Sequence, residues 1–394
     1  MTEALAMAVL AGALPAYGRR NRALLAAGGS AERLCRDPGA FGELLGPEAV
    51  AAVRKGWLEA ERLAGTLERE RITLLLRDDA GYPSLLREIH NPPHVLFVAG
   101  EPELSDPVCI AAVGTREPSE YGLRHARRIA SELAEAGCCV VSGLALGIDA
   151  ACHRGALDAR GRTVAVLGGA LDEFYPKENR PLMERILSEG GSVVSEYPPG
   201  TKPSRYSFLH RNRIIAGMAL GVFVAEGRQR SGALRTAGCA LEEGRDVFAL
   251  PGNIDEATSS LPNQLISEGA KPVTCASDIL CELRLTESAP AIKRRSGAPA
   301  QTSTKRPAKP HPAAQQPEAQ QAVLSVPEGI GEREESVCRA LLSGTQDFDE
   351  LTAATGLADD ELGALLIEME LDGLIEALPG NRFSPGERFS PHRA

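Results

Sequence analysis

The sequence has no long apolar run: nothing in its 394 residues approaches the roughly 18 uninterrupted apolar positions that a membrane span requires. Its first residues, "MTEALAMAVLAGAL", carry an acidic group where a secretory signal carries basic ones, so a cytoplasmic location is expected. None of the nine cysteines forms a CxxC pair, which removes the usual spacing of a zinc or redox site. Cys109, Cys138, Cys139 and Cys239 fall inside apolar segments and read as reduced core thiols, and no metal is expected. Also missing are a GxGxxG after the first strand of the α/β region and a GxxxxGKS/T anywhere. Redox and ATP chemistry lose their sequence signatures, and no cofactor is expected. The formal charge of −10 argues against a protein that coats duplex DNA all over, while leaving room for a local basic groove.

What is present divides into four parts. Residues 1–70 are Ala/Leu-rich with helical periodicity, broken at Gly28-Gly29, Pro38-Gly39 and Gly46-Pro47, and read as a small helical domain of sterile-alpha-motif or helix-hairpin-helix type. Residues 71–286 open with a lead-in holding a strand or two. Apolar strand candidates then recur at Cys109–Val113, Cys138–Val141, Thr163–Leu167, Ser192–Ser195, Gly221–Ala225 and Asp246–Leu250, with helical stretches between them. Strands that are apolar nearly throughout, alternating with helices, predict a doubly wound parallel sheet covered on both faces. Residues 287–328, rich in Pro, Ala, Gln, Lys and Arg, read as a flexible linker that buries too little apolar surface to offset its ordering entropy. Residues 329–394 hold three short helical patterns and a hairpin turning at Pro379-Gly380-Asn381, the plan of a winged helix.

In an open parallel sheet, ligands gather at the carboxyl ends of the strands, where loops enter helices and free N–H groups face outward. Three loops at such points carry small residues and cations: Gly114-Thr115-Arg116, Ser142-Gly143, and Glu226 to Ala233 with Arg228, Arg230, Ser231 and Gly232. A fourth segment, Arg205-Tyr206-Ser207-Phe208-Leu209-His210-Arg211-Asn212-Arg213, mixes cations with aromatic rings, the combination that grips a nucleic-acid backbone while stacking bases. Taken singly, each has a plainer reading: a tight turn for the glycine loops, a core position for Phe208, and internal pairing of Arg211 and Arg213 with Glu196 or Glu226. Arg124, Arg127 and Arg128 read as a solvated helix face.

The stretch "SGLALGIDAACHRG" gathers Ser142, Asp149, Cys152 and His153. Cys152 and His153 are neighbours on a helix, roughly 100° apart, and are poorly placed as nucleophile and base. Ser142 lacks the GxSxG elbow of a hydrolase. Asp149 and His153, four residues apart, read instead as a structural pair that fixes the helix to its loop. No catalytic residue is assigned.

The ordered motifs "VGTREPSEYG", "SGLALGIDAACHRGAL", "SEYPPG", "FLHRNRIIAG", "RSGALRTA" and "VFALPG" resemble those of the DprA/Smf DNA-processing family, densely over about Ile72 to Val273. The resemblance implies an extended Rossmann-like fold and a protein that shields single-stranded DNA, helps load the recombinase RecA onto it during natural transformation, and works as a homodimer without catalysis. It also implies contact with a single-strand DNA-binding protein. By position in the matching motifs, Arg116, Arg205, Phe208 and Arg230 look like DNA contacts, with Ser142-Gly143 and Ser231-Gly232 lining a phosphate pocket; Gly114, Arg211 and Arg213 complete the candidate set. Two positions depart from the family's pattern: "LPNQLI" stands where members often have a glycine before the asparagine, and Cys152 where a smaller residue is usual.

A rival from another class is a nucleotide-processing enzyme that cleaves N-glycosidic bonds, or a related scaffold that senses a nucleotide. Such enzymes carry PGGxGTxxE, whereas the comparable loop here, "RSGALRTAG", has no carboxylate after Thr236 until Glu242. The last helical pattern of the C-terminal unit, "LADDELGALLIEMELDG", is acidic where a groove-reading helix brings Arg, Lys or Asn. Contact with protein or with the basic linker is expected of it.

Overall fold

The computed structural model describes residues 2–14, 23–24, 26–105, 108–228, 231–285, 330–344, 347–357, 359–371, 373–378 and 382–386. The expected linker and the hairpin tip at Pro379–Asn381 lie outside the described residues.

The N-terminal part contains helices α1 (Glu3–Ala13), α2 (Ala31–Arg36), α3 (Pro47–Leu58) and α4 (Ala60–Arg69). Strands β1 (Thr73–Leu76) and β2 (Val95–Gly100) follow. Next come β3 (Cys109–Val113), α5 (Glu120–Glu135), β4 (Cys139–Ser142), α6 (Ile148–Asp158), β5 (Thr163–Leu167), α7 (Arg180–Ser188), β6 (Ser192–Ser195) and α8 (Arg205–Gly217). The domain finishes with β7 (Gly221–Val224), α9 (Gly232–Glu242), β8 (Asp246–Ala249), α10 (Ser260–Ser267), β9 (Lys271–Pro272) and α11 (Ala276–Glu282).

All nine strands join one sheet in the order β1-β2-β6-β5-β4-β3-β7-β8-β9. From β6 to β9 every neighbouring pair is parallel. The chain starts in the middle at β3, winds outward to β6, then returns to lay β7 on the other side of β3. That reversal leaves a crevice above the carboxyl ends of β3 and β7. The alternation of side chains explains the apolar strands: Ile110 and Ala112 face α5 and α6, while Cys109, Ala111 and Val113 face the layer of α8 and α9. The expected doubly wound α/β fold is what the chain adopts.

Two antiparallel strands extend the sheet, β2 along β6 and β1 along β2. Val95 and Phe97 turn one face of β2 toward the N-terminal helices, whereas Leu96 and Val98 turn the other toward the main core. Ile72, Val95 and Phe97 thus share one apolar core with Leu10, Leu34, Leu45 and Val53 of the helical part. The N-terminal helices are built on the sheet edge and have no core that is wholly their own.

The C-terminal unit packs α12 (Glu332–Leu342), α13 (Phe348–Thr355) and α14 (Asp359–Leu371) with the antiparallel pair β10 (Ile375–Leu378) and β11 (Arg382–Pro385) around Val337, Leu351, Leu366 and Phe383. Three helices and a hairpin make the winged helix expected from the sequence.

Because Phe97 is fully buried where the two layers meet, Phe97→Ala should cost about 3–5 kcal/mol. Trp57, the one tryptophan of the chain, sits on α3 against that core. In urea unfolding, Trp57 fluorescence and far-ultraviolet circular dichroism should therefore move to lower midpoints together. A shift confined to the fluorescence signal would mean that the helices unfold independently of the sheet.

Candidate nucleic-acid interface

At the crevice, the first turn after β3 passes close beneath the loop after β7. Thr115 donates its amide to the Glu226 carbonyl at 2.7 Å, and a Cβ at Gly114 would stand 2.8 Å from that same oxygen and 2.6 Å from Ile148. Only glycine permits this approach. Glu226 itself is buried and accepts the Ser119 amide at 2.9 Å and the Ser119 hydroxyl at 2.6 Å, which anchors the start of α5. It is therefore committed to Ser119, and Arg211 and Arg213 find other partners.

A cavity of about 780 Å³ opens above these loops. Gly114, Arg116, Phe208, Arg211, Ser231 and Gly232 all line it, so six of the candidate residues from three separate segments meet at one place. The Arg116 guanidinium lies 5.6 Å from the centroid of the Phe208 ring. Tyr175, 54% exposed, also neighbours that ring, with its centroid 6.1 Å from that of Phe208. Arg228 is an exposed cation in the same lining. Arg230 lies outside the described residues; Arg205 is the first residue of α8, and its side chain is likewise outside them.

Helix α8 is started by a reciprocal cap between Ser204 and Ser207, and the Ser207 hydroxyl donates to the Gly168 carbonyl. From there its periodicity separates two faces. Phe208, Arg211, Asn212 and Ile215 turn to the cavity. Arg213 turns away: it pairs with the buried Glu196, donates to His210 Nε2 at 3.0 Å and donates to the Asn91 carbonyl. The expectation that Arg213 contacts nucleic acid is corrected by this burial, since its charge is spent on a carboxylate inside the domain.

Ser142 and Gly143 also differ from expectation. The Ser142 hydroxyl donates to the Ala112 carbonyl at 2.6 Å, and both residues are buried behind the cavity and do not line it. They build its floor. Asp149 accepts the Gly143 amide at 3.1 Å and the Ala145 amide at 3.4 Å, while Asn179 donates to the carbonyls of Leu144 and Ala145, both at 3.0 Å. Arg211 donates to the carbonyls of Gly143, at 3.0 Å, and Val166. Burial raises the Asp149 pKa against the pull of Arg211, and lowers that of Arg211 to about 10, so the guanidinium stays charged at neutral pH.

Two buried polar atoms in the cavity lining, Ser231 Oγ and Arg211 Nε, have no hydrogen-bond partner among the described residues. Ser231 is the N-cap of the 11-residue α9 but makes no side-chain cap bond. An unused hydroxyl, an unused guanidinium edge and a helix N-terminus, all on residues that line one cavity, are groups suited to anionic oxygens.

The expected partnership of Asp149 with His153 divides in the structure. Asp149 holds the loop, whereas His153 Nδ1 meets the Thr163 hydroxyl at 2.7 Å. Because Thr163 already donates to the Val140 carbonyl, Nδ1 carries the proton and Nε2 is left as a buried acceptor without a partner among the described residues. Burial lowers the His153 pKa to about 3, and it raises that of the Cys152 thiol. Neither group is poised for acid–base or nucleophilic work near neutrality.

Tyr175 escaped the sequence reading. Its one signal is an aromatic residue in the loop "LDEFYPKEN" at the carboxyl end of β5, which sequence order separates from every glycine loop that faces it.

A model of the DNA recombination-mediator protein A family matches residues 73–284, more than half of the chain, and a model of the DprA winged helix domain matches residues 307–381. The chain belongs to the DNA recombination-mediator protein A family. The resemblance drawn from its motifs is thereby borne out. Among family relatives, the chain is 36% identical over 327 residues to protein Smf of Synechocystis, covering 78% of this chain and 79% of that one. It is 46% identical over 204 residues to the DNA processing protein DprA of Streptococcus pneumoniae, covering 52% and 72%. The structure of the pneumococcal protein superposes with a TM-score of 0.55 at 40% identity, covering 62% of this chain and 86% of that one. DNA processing protein A of Helicobacter pylori, solved for its single-stranded DNA binding mode, superposes with a TM-score of 0.50 at 28% identity, covering 55% and 97%.

His153 gives the site a pH signature. An imidazole protonated near pH 6.5 in the unfolded chain but only near 3 in the folded one makes the unfolded state bind the extra proton between those values. Stability should be level in this contribution above about pH 7 and fall by up to about 1.4 kcal/mol per pH unit below 6.5. His153→Gln should remove that slope. Parallel acid-unfolding curves for the two proteins would contradict the burial of a neutral imidazole.

Proposed function

We propose that the chain binds and protects single-stranded DNA and helps load RecA onto it during natural transformation or recombination, without a catalytic step. The observation that carries the reading is the pair of buried, unpartnered donors, Ser231 Oγ and Arg211 Nε, in a cavity that also presents the rings of Phe208 and Tyr175. Phosphate oxygens satisfy the donors, while the faces of the rings accept bases of any identity. The exposed cations Arg116 and Arg228, neither in an ion pair among the described residues, add the non-specific attraction for a backbone. Arg205 and Arg230 belong to the same proposed surface by their place in the motifs.

Family membership supports the remaining parts of the proposal. The protein works as a homodimer through the α/β domain and meets a single-strand DNA-binding protein as well as RecA. It acts in the cytoplasm; no helix among the described residues is long and apolar enough to cross a membrane. The working division is a helical part over 1–70, the DNA-binding domain over 71–286, a linker over 287–328 and the winged helix over 329–394.

Fluorescence anisotropy of a labelled oligo-dT across a salt series tests the reading. Wild type should prefer single strands to duplex. Arg116→Ala should weaken binding and reduce the log–log salt slope by about 0.7 for each phosphate that the variant no longer neutralises. Phe208→Ala should weaken it by about 1–3 kcal/mol with the slope unchanged. Equal binding of duplex, or both variants behaving as wild type, would move the nucleotide-processing or nucleotide-sensing reading ahead.

A further inference from the structure

The winged helix does not leave its third helix open to a nucleic-acid groove. Helix α14 lies against α8, and Glu370 on it pairs with Arg235 of α9 at 2.6 Å. Both partners of that ion pair are about three-quarters buried, at 26% and 24% side-chain exposure. Beside it, Gly363 faces the ring of Tyr206: a Cβ at that position would stand 2.5 Å from Tyr206 Cε2 and 3.0 Å from Cζ. The ring has little room to yield, because it stacks on His210 with an interplanar angle of 5°. Gly363 lies inside a helix with no left-handed φ to require it, so its backbone gains nothing from being glycine. Close approach to Tyr206 is what it permits.

Charge explains what this docking does. Residues 330–386 hold thirteen carboxylate side chains and three arginines. This strongly acidic unit is seated on α8 and α9, which line the cavity through Phe208, Arg211, Gly232 and Thr236. A strand entering that cavity brings its own phosphates next to the docked domain, and like charges at that range repel.

We propose that the acidic winged helix is an intramolecular competitor of single-stranded DNA, docked through α14 on the outer faces of α8 and α9 and displaced when a strand occupies the cavity. The proposal rests on the single-strand reading of that cavity. By linkage, whatever factor docking takes from DNA affinity, bound DNA takes from docking. The same equilibrium would expose Tyr206 and Arg235 only while DNA is held, giving the protein a surface that reports its loaded state.

The test uses the full chain and oligo-dT. Gly363→Leu places a strong helix former where the structure has no room for a side chain facing Tyr206, and Glu370→Lys reverses the ion pair; neither residue belongs to the cavity. At low salt each variant should bind the oligonucleotide at least about five-fold more tightly than wild type, with the gap closing as salt rises. Hydrogen exchange at α14 of wild type should also quicken when oligo-dT is added. If wild type binds oligo-dT and both variants bind it equally or more weakly, the competition is refuted while the cavity reading stands. If none of the three binds it, the cavity reading fails and takes this proposal with it. Circular dichroism of Gly363→Leu verifies its fold, and Glu370→Lys decides the matter alone if that variant is unfolded.

Discussion

Arg211 is 5% exposed, and its guanidinium must find inside the protein the partners that water would otherwise supply. It finds the negative field of Asp149 and the carbonyls of Gly143 and Val166, and these tie three elements to one charge. Helix α8 carries the arginine, the loop between β4 and α6 offers Gly143, and β5 offers Val166. Asp149 in turn fixes the same loop through two backbone amides. The position of Phe208, one turn before Arg211, follows from this anchorage. So does the floor beneath Arg116. A buried cation with one edge unused is costly for a fold that needs only stability, and it is an asset for one that needs an anion held in place.

The layout of the sheet converts that anchorage into a site. Reversal of winding between β3 and β7 brings together residues that are more than a hundred positions apart in sequence, Gly114 to Arg116 on one side and Arg228, Ser231 and Gly232 on the other. The third contribution comes from α8, which packs on the same face of the sheet as α9 and brings Phe208 and Arg211 to the cavity. Loops on such an edge are free to vary in chemistry because the core is secured by strands buried on both faces.

How far the sequence foretold this depended on whether the deciding interaction was local. Strands β3 to β8 were legible because each is a short apolar block with glycine or a helix on either side. The glycine loops were legible because their place after a strand is itself sequential. Arg213 was legible only as a choice between pairing with Glu196 and contacting nucleic acid, and which side of α8 faces the core decides for Glu196. His153 resisted for the same reason: helical spacing placed it beside Asp149, but the Thr163 hydroxyl across the α6–β5 layer holds the ring. The boundary at residue 70 looked sharp in composition, yet the burial of Val95 and Phe97 runs one apolar core through it. The acidity of α14 was plain, whereas the glycine that seats it against Tyr206 acquires meaning only once two distant helices are in contact.

If one strand of DNA lies across Phe208 and Tyr175 with its backbone over Arg211, its bases come within crosslinking range of those two rings. Photocrosslinking with an oligonucleotide carrying 5-iodouracil, followed by mass spectrometry of the joined peptides, addresses this placement most directly. Crosslinks should concentrate on the aromatic residues of the segments 171–177 and 205–213. Crosslinks that fall instead on the N-terminal helices or the winged helix, with those two segments unmarked, would contradict it.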